Sequence, residues 1–104
     1  MIITSTETIP GKEITQILGI ARGSTVRARN FGSDFMAGLK NLVGGEVSEY
    51  TKLQARSREQ AMKRMVDDAE RLGADAIVNV RFTTSMIMQG MSEILAYGTA
   101  VKLQ

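Results

Sequence analysis

A change in hydrophobic period near the middle of the chain constrains the fold most strongly. Between Ser48 and Leu72, apolar side chains recur every three or four residues, which is the spacing of one helical stripe. From Ala76 onward they recur every second residue, which is the spacing of half-buried strands. Gly73 stands between the two patterns and is typical of the residue that follows a helix. The second half of this 104-residue chain is therefore predicted to be a long helix followed by strands.

The alternating runs predict a C-terminal β-hairpin. They span Ala76–Met88 and Glu93–Leu103, and Gln89-Gly90 between them is a turn signal. One parity of the first run carries large apolar residues that are expected to share a face, namely Val78, Val80, Phe82, Met86 and Met88. One parity of the second run is rich in small residues that would let a helix pack closely, namely Ala96, Gly98 and Ala100.

The first half of the chain predicts further strands and another helix. Residues 2–5 are β-prone, and Pro10-Gly11 marks a turn. Residues 13–29 suit one long strand or two short ones, in which Gly19 and Gly23 indicate a bulge, a bend or a close backbone approach. One parity of this run carries Ile14, Leu18, Ile20, Val26 and Ala28. An amphipathic helix that ends at Gly44-Gly45 is predicted from the spacing of Phe31, Phe35, Leu39 and Leu42.

Together these elements predict an α+β fold. An antiparallel or mixed sheet packs with two helices, in the order strands, helix, helix and C-terminal hairpin. The length is typical of one domain, so residues 1–104 are expected to form a single unit.

The composition excludes several classes of function. The chain has no Cys and no His, which removes thiolate sites, the usual general base and the commonest metal ligand. Its formal net charge is +2 without a concentrated basic stripe, which disfavours nucleic-acid binding. The longest uncharged run, Phe82–Ser92, is shorter than the roughly 20 apolar residues of a membrane span. No signal-peptide pattern is visible, so a cytoplasmic location and no membrane partner are expected.

Several short strings along the chain form a specific combination. They are Val43-Gly44-Gly45, the helix exit Gly73-Ala74-Asp75-Ala76 with Val78 and Val80, the ending Gly98-Thr99-Ala100-Val101, and the opening Thr4-Ser5-Thr6 with Gly11-Lys12-Glu13-Ile14. With the element order, they resemble the YbjQ-like family of small uncharacterised bacterial and archaeal proteins over essentially the whole chain. The resemblance implies an α+β fold related to the dodecin-like arrangement, and a ring-shaped homo-oligomer, commonly a pentamer. The family carries the label "putative heavy-metal-binding domain" without an agreed activity, and the resemblance implies no catalytic residues.

Three methionines around Gly90 form the candidate metal site. Met86, Met88 and Met91 carry thioether sulfurs, which are soft donors that can hold Cu(I). Methionine is also a flexible filler of cores and interfaces, so a buried hairpin or a subunit contact is the stronger interpretation.

Four arginines form the candidate anion site. Arg22, Arg27, Arg29 and Arg81 lie in or beside predicted strands, and strand pairing could bring them around a phosphate. Ring symmetry would multiply such a patch, whereas surface arginines or intersubunit ion pairs are the ordinary alternative.

Other residues are assigned structural roles. Gly44, Gly45, Gly73 and Gly98 are expected to meet backbone or close-packing demands; Gly98→Val should disturb helix–sheet packing, and Gly73→Val should strain the helix end if Gly73 has positive φ. The carboxylates near the end of the long helix suit solvated surface better than a hard-cation site, and Asp75 is expected to bond the turn backbone.

Three functional hypotheses follow. The leading one is a non-enzymatic homo-oligomeric assembly or small-ligand- or anion-binding module, most simply a pentameric ring whose partner is itself. The second is a soft-metal binder that uses the three methionines. The third is an enzyme with carboxylate, Lys, Tyr or Ser chemistry. The cofactor stays unknown, because the glycines match no cofactor-binding template.

Overall fold

The computed structural model describes residues 1–28 and 48–104. In these ranges the chain forms strands β1 (Ile2–Ile3) and β2 (Ile14–Ala28), helix α1 (Ser48–Arg71), and strands β3 (Ala76–Met88) and β4 (Met91–Leu103). The long helix and the hairpin are confirmed close to their predicted bounds. The predicted first helix lies outside the described residues, as do Gly44, Gly45 and Arg29.

The strands form one mixed sheet in the order β1-β3-β4-β2. The short strand β1 pairs with β3 in parallel, whereas β2 and β3 both pair with β4 in antiparallel fashion. Strand β4 is therefore central, and β2 forms one edge of the sheet. Strand β3 forms the opposite edge wherever β1 does not cover it.

Helix α1 packs across β2 and β4 on one face of the sheet. Its buried Ala61, Met65 and Ala69 meet Ala21 of β2, together with the small residues of β4. The small-residue face predicted for the hairpin is thus the face that the helix covers. A second cluster on the other face consists of Ala76, Val78 and Val101, with Ile9, Ile14 and Leu103 packed against it.

The helix ends in a Schellman motif. The amide of Gly73 donates to the carbonyl of Glu70 at 2.9 Å, and the amide of Ala74 donates to the carbonyl of Ala69 at 3.0 Å. Gly73 has φ of 81°, the left-handed conformation that this motif requires. This turn directs the chain into β3 beside the end of β4.

Register shifts overturn the predicted facing of β2 and β3. The pairing of β3 with β4 shifts between Val78 and Arg81, where Asn79 has φ of 54°. Val78 therefore lies in the cluster on the helix-free face and Val80 in the helix-side core, so the prediction that they share a face is wrong.

The register of β2 shifts twice, between Ile14 and Gln16 and between Ile17 and Gly19, and Gly19 has φ of 130°. Beyond it the helix covers Ala21, Gly23 and Thr25, whereas Ile20 and Val26 are exposed. A bulge adds one residue to a strand, and with side chains alternating faces that addition reverses every later position.

The structure is elongated, measuring 54 × 25 × 16 Å. Its radius of gyration is 17.3 Å, compared with about 13 Å for a compact domain of this length. Helix α1 packs mainly on β2 and β4, and the part of β3 beyond the bulge lies outside the surface that it covers. Within the helical residues that the structure describes, no stretch is both long enough and apolar enough to cross a membrane.

Candidate functional site

The part of the hairpin that α1 leaves uncovered is the first candidate surface. The distal edge is defined here as Phe82–Met88, the uncharged stretch of β3 that lies beyond the bulge. All of its residues are exposed, including Phe82 at 43%, Met86 at 78%, Ile87 at 52% and Met88 at 58%. Large apolar side chains concentrated on one uncharged stretch are typical of a contact surface.

The distal edge also carries an unpaired strand border among the described residues. The N-terminal segment covers β3 only as far as Val80, whose amide donates to the carbonyl of Thr4 at 3.0 Å. Beyond Val80, the described residues place β4 on one side of β3 and no strand on the other. The Arg81 guanidinium closes the covered part by donating to the carbonyls of Ser5 and Val80, each at 2.9 Å.

The other border of the sheet is capped by α1 at its centre. The Arg22 amide of β2 donates to the Asp68 carboxylate at 3.0 Å, and Arg64 donates to the carbonyl of Ser24 at 2.6 Å. The Arg71 guanidinium, followed by the Arg22 amide, holds the pKa of the Asp68 carboxyl below its ordinary value of 3.8. Helix side chains thus occupy the backbone groups that another strand would need at this point.

A second apolar stretch lies on β2 before this cap. The base edge is defined here as Ile14–Ile20, an uncharged stretch at the opposite end of the sheet from the distal edge. Ile17 is 70% exposed and Ile20 is 67% exposed. The described structure therefore has two uncharged strand borders that are unlike each other and lie at opposite ends.

Of the candidate arginines that the structure describes, Arg27 lies apart from Arg22 and Arg81. Arg27 faces α1, where its Nε donates to Ser57 Oγ at 2.7 Å and its Nη2 donates to Gln60 Oε1 at 3.2 Å. Arg22 and Arg81 are brought into one row of the helix-free face, because each is a register partner of Tyr97. Arg27 therefore joins the helix to β2 and is not grouped with the other two, and anion binding by these arginines stays a prediction.

The cleft beside this row is lined by an arginine that the sequence analysis did not single out. An open cleft of about 580 Å³ is lined by Arg22, Gly23, Ser24, Arg64, Glu93 and Leu95. Arg64 reaches it from the helix, around the border of β2. Its proximity to Arg22 depends on helix–sheet packing, so no local sequence pattern could have indicated the pair.

The methionines meet only in part. Met88 and Met91 are direct register partners, whereas Met86 is opposite Ser92. The register shifts between Met86 and Met88, so the prediction that these two side chains share a face is wrong. Met86 and Met88 are exposed and Met91 is partly buried, so the described chain does not itself bury this hairpin.

The acidic residues are engaged in structural contacts. Asp75 accepts the Leu103 amide at 2.9 Å and Lys102 Nζ at 3.3 Å, so it binds the end of β4 instead of the turn backbone that was expected. The Leu103 amide is the main cause that lowers the pKa of the Asp75 carboxyl. Across the described ranges, no three His, Cys, Asp or Glu side chains are grouped so that they could hold a metal ion.

The glycines in the described ranges have distinct surroundings. A Cβ on Gly98 would lie 2.7 Å from Ile77 Cγ2 and 2.9 Å from the Val78 carbonyl, so its crowding comes from the bulged β3 strand and not from the helix as expected. A Cβ on Gly23 would collide with the α1 backbone at Ala61, Arg64 and Met65. Gly23 was noted in the sequence only as one possible close approach, and glycine inside a strand was the signal for it.

These features define a small α+β subunit with a mixed sheet, one described helix and a C-terminal hairpin. Its whole length, residues 1–104, matches the family model YbjQ_1, described as "Putative heavy-metal-binding". The chain belongs to this family, as its sequence strings indicated.

Close relatives share the full length of the chain. A "UPF0145 protein" of Methanosarcina acetivorans is 62% identical, over 99% of this chain and 97% of the relative. Proteins of the same name from Archaeoglobus fulgidus and Vibrio campbellii are 57% and 56% identical; the matches cover 100% and 99% of this chain, and 96% and 99% of those proteins.

A solved structure shares the fold. A protein of unknown function from Pediococcus pentosaceus, assigned to the DUF74 family, matches with a TM-score of 0.65 and 16% identity. The match covers 100% of this chain and 98% of that one. At this identity the likeness establishes the architecture alone.

The heavy-metal description of the family fits this chain poorly. Thiolates and imidazoles are the ligands that zinc and similar ions prefer, and the chain has neither Cys nor His. Thioether sulfur is the soft donor that remains, and Met88 with Met91 is the pair that the register brings together. The donor set therefore fits a Cu(I)-type ion and does not fit zinc or cadmium.

Proposed function

We propose that this protein is a non-enzymatic homo-oligomeric module, a ring of five copies in which each subunit covers the distal edge of a neighbour. The observation that carries the proposal is the distal edge, where Phe82, Met86, Ile87 and Met88 are 43–78% exposed. The resemblance to the YbjQ-like family supports the ring and its number of subunits.

The energetics favour covering this surface. Burial of apolar surface contributes roughly 25 cal/mol per Å², and a stable interface buries about 800 Å² on each partner. Four large side chains at these exposures supply on the order of half of that area. The elongated shape leaves this surface far from the helix-covered core, so a neighbouring subunit is the natural source of cover.

The two unlike strand borders support a ring over a two-fold dimer. Contacts between different surfaces of identical chains are heterologous, and they close into a ring when the rotation per subunit divides a full turn. The described subunit has one uncharged border on β3 and another at the opposite end of the sheet on β2. Helix side chains cap the remainder of the β2 border at Arg22 and Ser24. The same proposal keeps a cytoplasmic location, which fractionation of cells expressing a tagged chain would check.

Native mass spectrometry of the purified chain tests the assembly. We expect a mass of five chains, with the 11.3 kDa chain recovered after denaturation. A single-chain mass that persists across micromolar concentrations would contradict the proposal. A mass increment that disappears on denaturation would identify a bound metal or small molecule.

The arginine cleft supports a second candidate function, which is anion binding. Arg22 and Arg64 supply two guanidinium groups beside the backbone of Ser24, and a ring would repeat this cleft in every subunit. Titration with inorganic phosphate should give binding that Arg22→Gln weakens by about tenfold or more. Arg56→Gln, at an exposed helix position away from the cleft, is the matched control. Equal phosphate binding by both variants would exclude this cleft.

Soft-metal binding is the alternative for the hairpin. Met88 and Met91 lie opposite each other, and Met86 is two residues before Met88 on β3, opposite Ser92. Ag(I), as a stable substitute for Cu(I), should bind the chain. This binding should be lost when the three methionines are replaced by leucine. Met62→Leu, on the helix, is the control. Retention of Ag(I) by the triple variant would show that this site is wrong.

A further inference from the structure

We infer that the subunit contact is a strand pairing in which the distal edge of β3 in one copy joins the base edge of β2 in the next copy. This inference rests on the proposed ring and names the surfaces that form it. Each border is uncharged, and each carries large exposed side chains, such as Met86 at 78% and Ile17 at 70%. Open strand borders accept another strand through their backbone groups, and natural proteins usually protect such borders with charges or proline. Phe82–Met88 has neither.

The helix side chains that cap β2 limit where the strand of a second copy can pair with it. Asp68 and Arg64 occupy the backbone at Arg22 and Ser24, so a strand cannot run along the centre of that border. The base edge lies on one side of this cap and is free of it. The distal edge lies at the other end of the sheet, since Phe82–Met86 pairs with residues 92–96 of β4 while Ile14–Ile20 pairs with residues 99–103. Joining opposite ends produces a head-to-tail contact, which is the kind a ring requires.

The second copy is favoured as the occupant because the two borders match in charge and length. Both are stretches of seven residues, Phe82–Met88 and Ile14–Ile20, and neither contains a charged side chain. Pairing them removes exposed Phe, Met and Ile side chains from water on both subunits without burying an unpaired charge. The distal edge also completes its backbone hydrogen bonds. The base edge, whose register shifts between Ile14 and Gln16 and between Ile17 and Gly19, completes those at its regular positions.

The direction of the backbone amides in β3 predicts which of them a neighbouring strand would protect from hydrogen exchange. The Val80 amide points away from β4 toward Thr4, and the register with β4 is regular from Arg81 to Met86. Because amides alternate in direction along a strand, those of Phe82, Thr84 and Met86 point to the open border. Those of Thr83 and Ser85 point to β4.

Amide hydrogen exchange of the intact oligomer tests the pairing directly. In the oligomer, the three outward amides should exchange on the order of 100-fold more slowly than unpaired amides. The two inward amides, which are bonded to β4, give the reference for a protected amide. When dilution releases monomers, protection of the outward set should be lost first. Fast exchange of Phe82, Thr84 and Met86 in an intact oligomer would overturn this inference and leave the proposed assembly standing. A wild-type chain that is monomeric would overturn both.

A backbone variant provides an independent test. Thr84→Pro removes one outward amide and leaves the β4 ladder intact, since edge positions with outward amides tolerate proline. We expect it to shift the oligomer to monomers while circular dichroism stays unchanged, whereas Thr84→Ala, which keeps the amide, stays assembled. Assembly of Thr84→Pro at unchanged concentration would contradict the pairing. If Thr84→Pro fails to fold, hydrogen exchange of the wild type decides the question.

The absence of native cysteine allows the partner surface to be identified. A double variant with Thr84→Cys and Ile17→Cys should form chains linked in series by a short thiol-reactive cross-linker, and neither single variant should form dimers. Dimers of Thr84→Cys alone would show β3 paired with β3, which contradicts the head-to-tail contact.

Discussion

Gly23 is the residue at which helix α1 comes closest to the sheet. A Cβ at this position would lie 2.6 Å from the carbonyl carbon of Arg64 and still closer to the backbone at Ala61 and Met65. Helix backbone cannot move aside as a flexible side chain can, so the side-chain hydrogen of glycine sets the distance between the layers. The packing of the core thus depends on a residue with no side chain to bury.

Gly23→Ala is predicted to destabilise the fold by about 1–3 kcal/mol, because the helix must shift to admit the methyl group. Gly73→Ala is the comparison, since a Cβ there meets nothing within 4 Å and its cost comes from the positive φ alone. Urea unfolding of the two variants measures the difference in the free energy of unfolding. Unchanged stability of Gly23→Ala would show that the layers are not in close contact.

Asp68 is the residue that couples the helix to the border of β2. Its carboxylate accepts from the Arg22 amide and from Arg71, and its side chain is 17% exposed. The folded-state pKa is held below the ordinary value, so this carboxylate stabilises the fold above about pH 4. That stability is lost as pH falls through the lowered folded-state pKa.

Asp68→Asn should therefore destabilise the protein by about 1 kcal/mol near neutral pH. The difference from wild type should shrink as the solution is acidified below about pH 4, because the wild-type carboxylate then becomes neutral as well. Denaturant unfolding at several pH values measures it. A difference that stays constant into acid would mean that the charge of Asp68 does not contribute.

At the scale of elements, the bulge at Asn79 divides β3 into two functional parts. The part before it is covered by the N-terminal segment, and its residues Ala76, Ile77 and Val78 are buried. The part after it is the exposed distal edge. The bulge places Val80 in the helix-side core, so one irregular residue decides which side chains fill the core and which remain for a partner.

The conformation of Asn79 can be tested by substitution. Its φ of 54° is left-handed, which glycine and asparagine adopt readily and β-branched residues do not. Asn79→Gly should leave stability nearly unchanged, whereas Asn79→Val should cost on the order of 1–3 kcal/mol. Thermal unfolding of both variants gives the comparison, and equal melting temperatures would argue against the bulge.

At the scale of the whole molecule, the sheet is longer than the helix that covers it. The hairpin and the base edge of β2 leave apolar side chains in water at both ends, and helix side chains cap the β2 border at Arg22 and Ser24. In the proposed ring, neighbouring copies would cover these side chains of the elongated subunit, which measures 54 × 25 × 16 Å. Membership of the family extends the same architecture to relatives 54–62% identical in sequence.

An uncharged contact predicts an oligomer that resists salt. Ionic screening weakens pairings between exposed charges, whereas apolar burial and backbone pairing are not reduced by it. The oligomer mass should therefore be the same at roughly 0.05 M and 1 M sodium chloride by light scattering, because the Debye length falls from more than 10 Å to about 3 Å over that range. Dissociation at high salt would instead indicate that arginine ion pairs hold the subunits together.

Much of this architecture follows from local patterns. The apolar stripe from Ser48 to Leu72, Gly73 at the helix exit and the turn at Gln89-Gly90 located α1, β3 and β4 to within a few residues. The facing of Val78 and Val80 could not be predicted, because the bulge between them depends on pairing with a strand about twenty residues away. The presence of Arg22 and Arg64 in one cleft could not be predicted either, because it depends on where the helix packs on the sheet.

The sequence by itself determined the helix, the hairpin, the family and the uncharged character of the strand borders. These are properties of residue type and spacing, and period and charge are fixed along the chain before any tertiary contact forms. Only the tertiary structure decided which borders stay open, which arginines meet and which side chains each face presents. Those features depend on strand order, on bulges and on where α1 lies across the sheet, and each of these is set by contacts between residues distant in the chain.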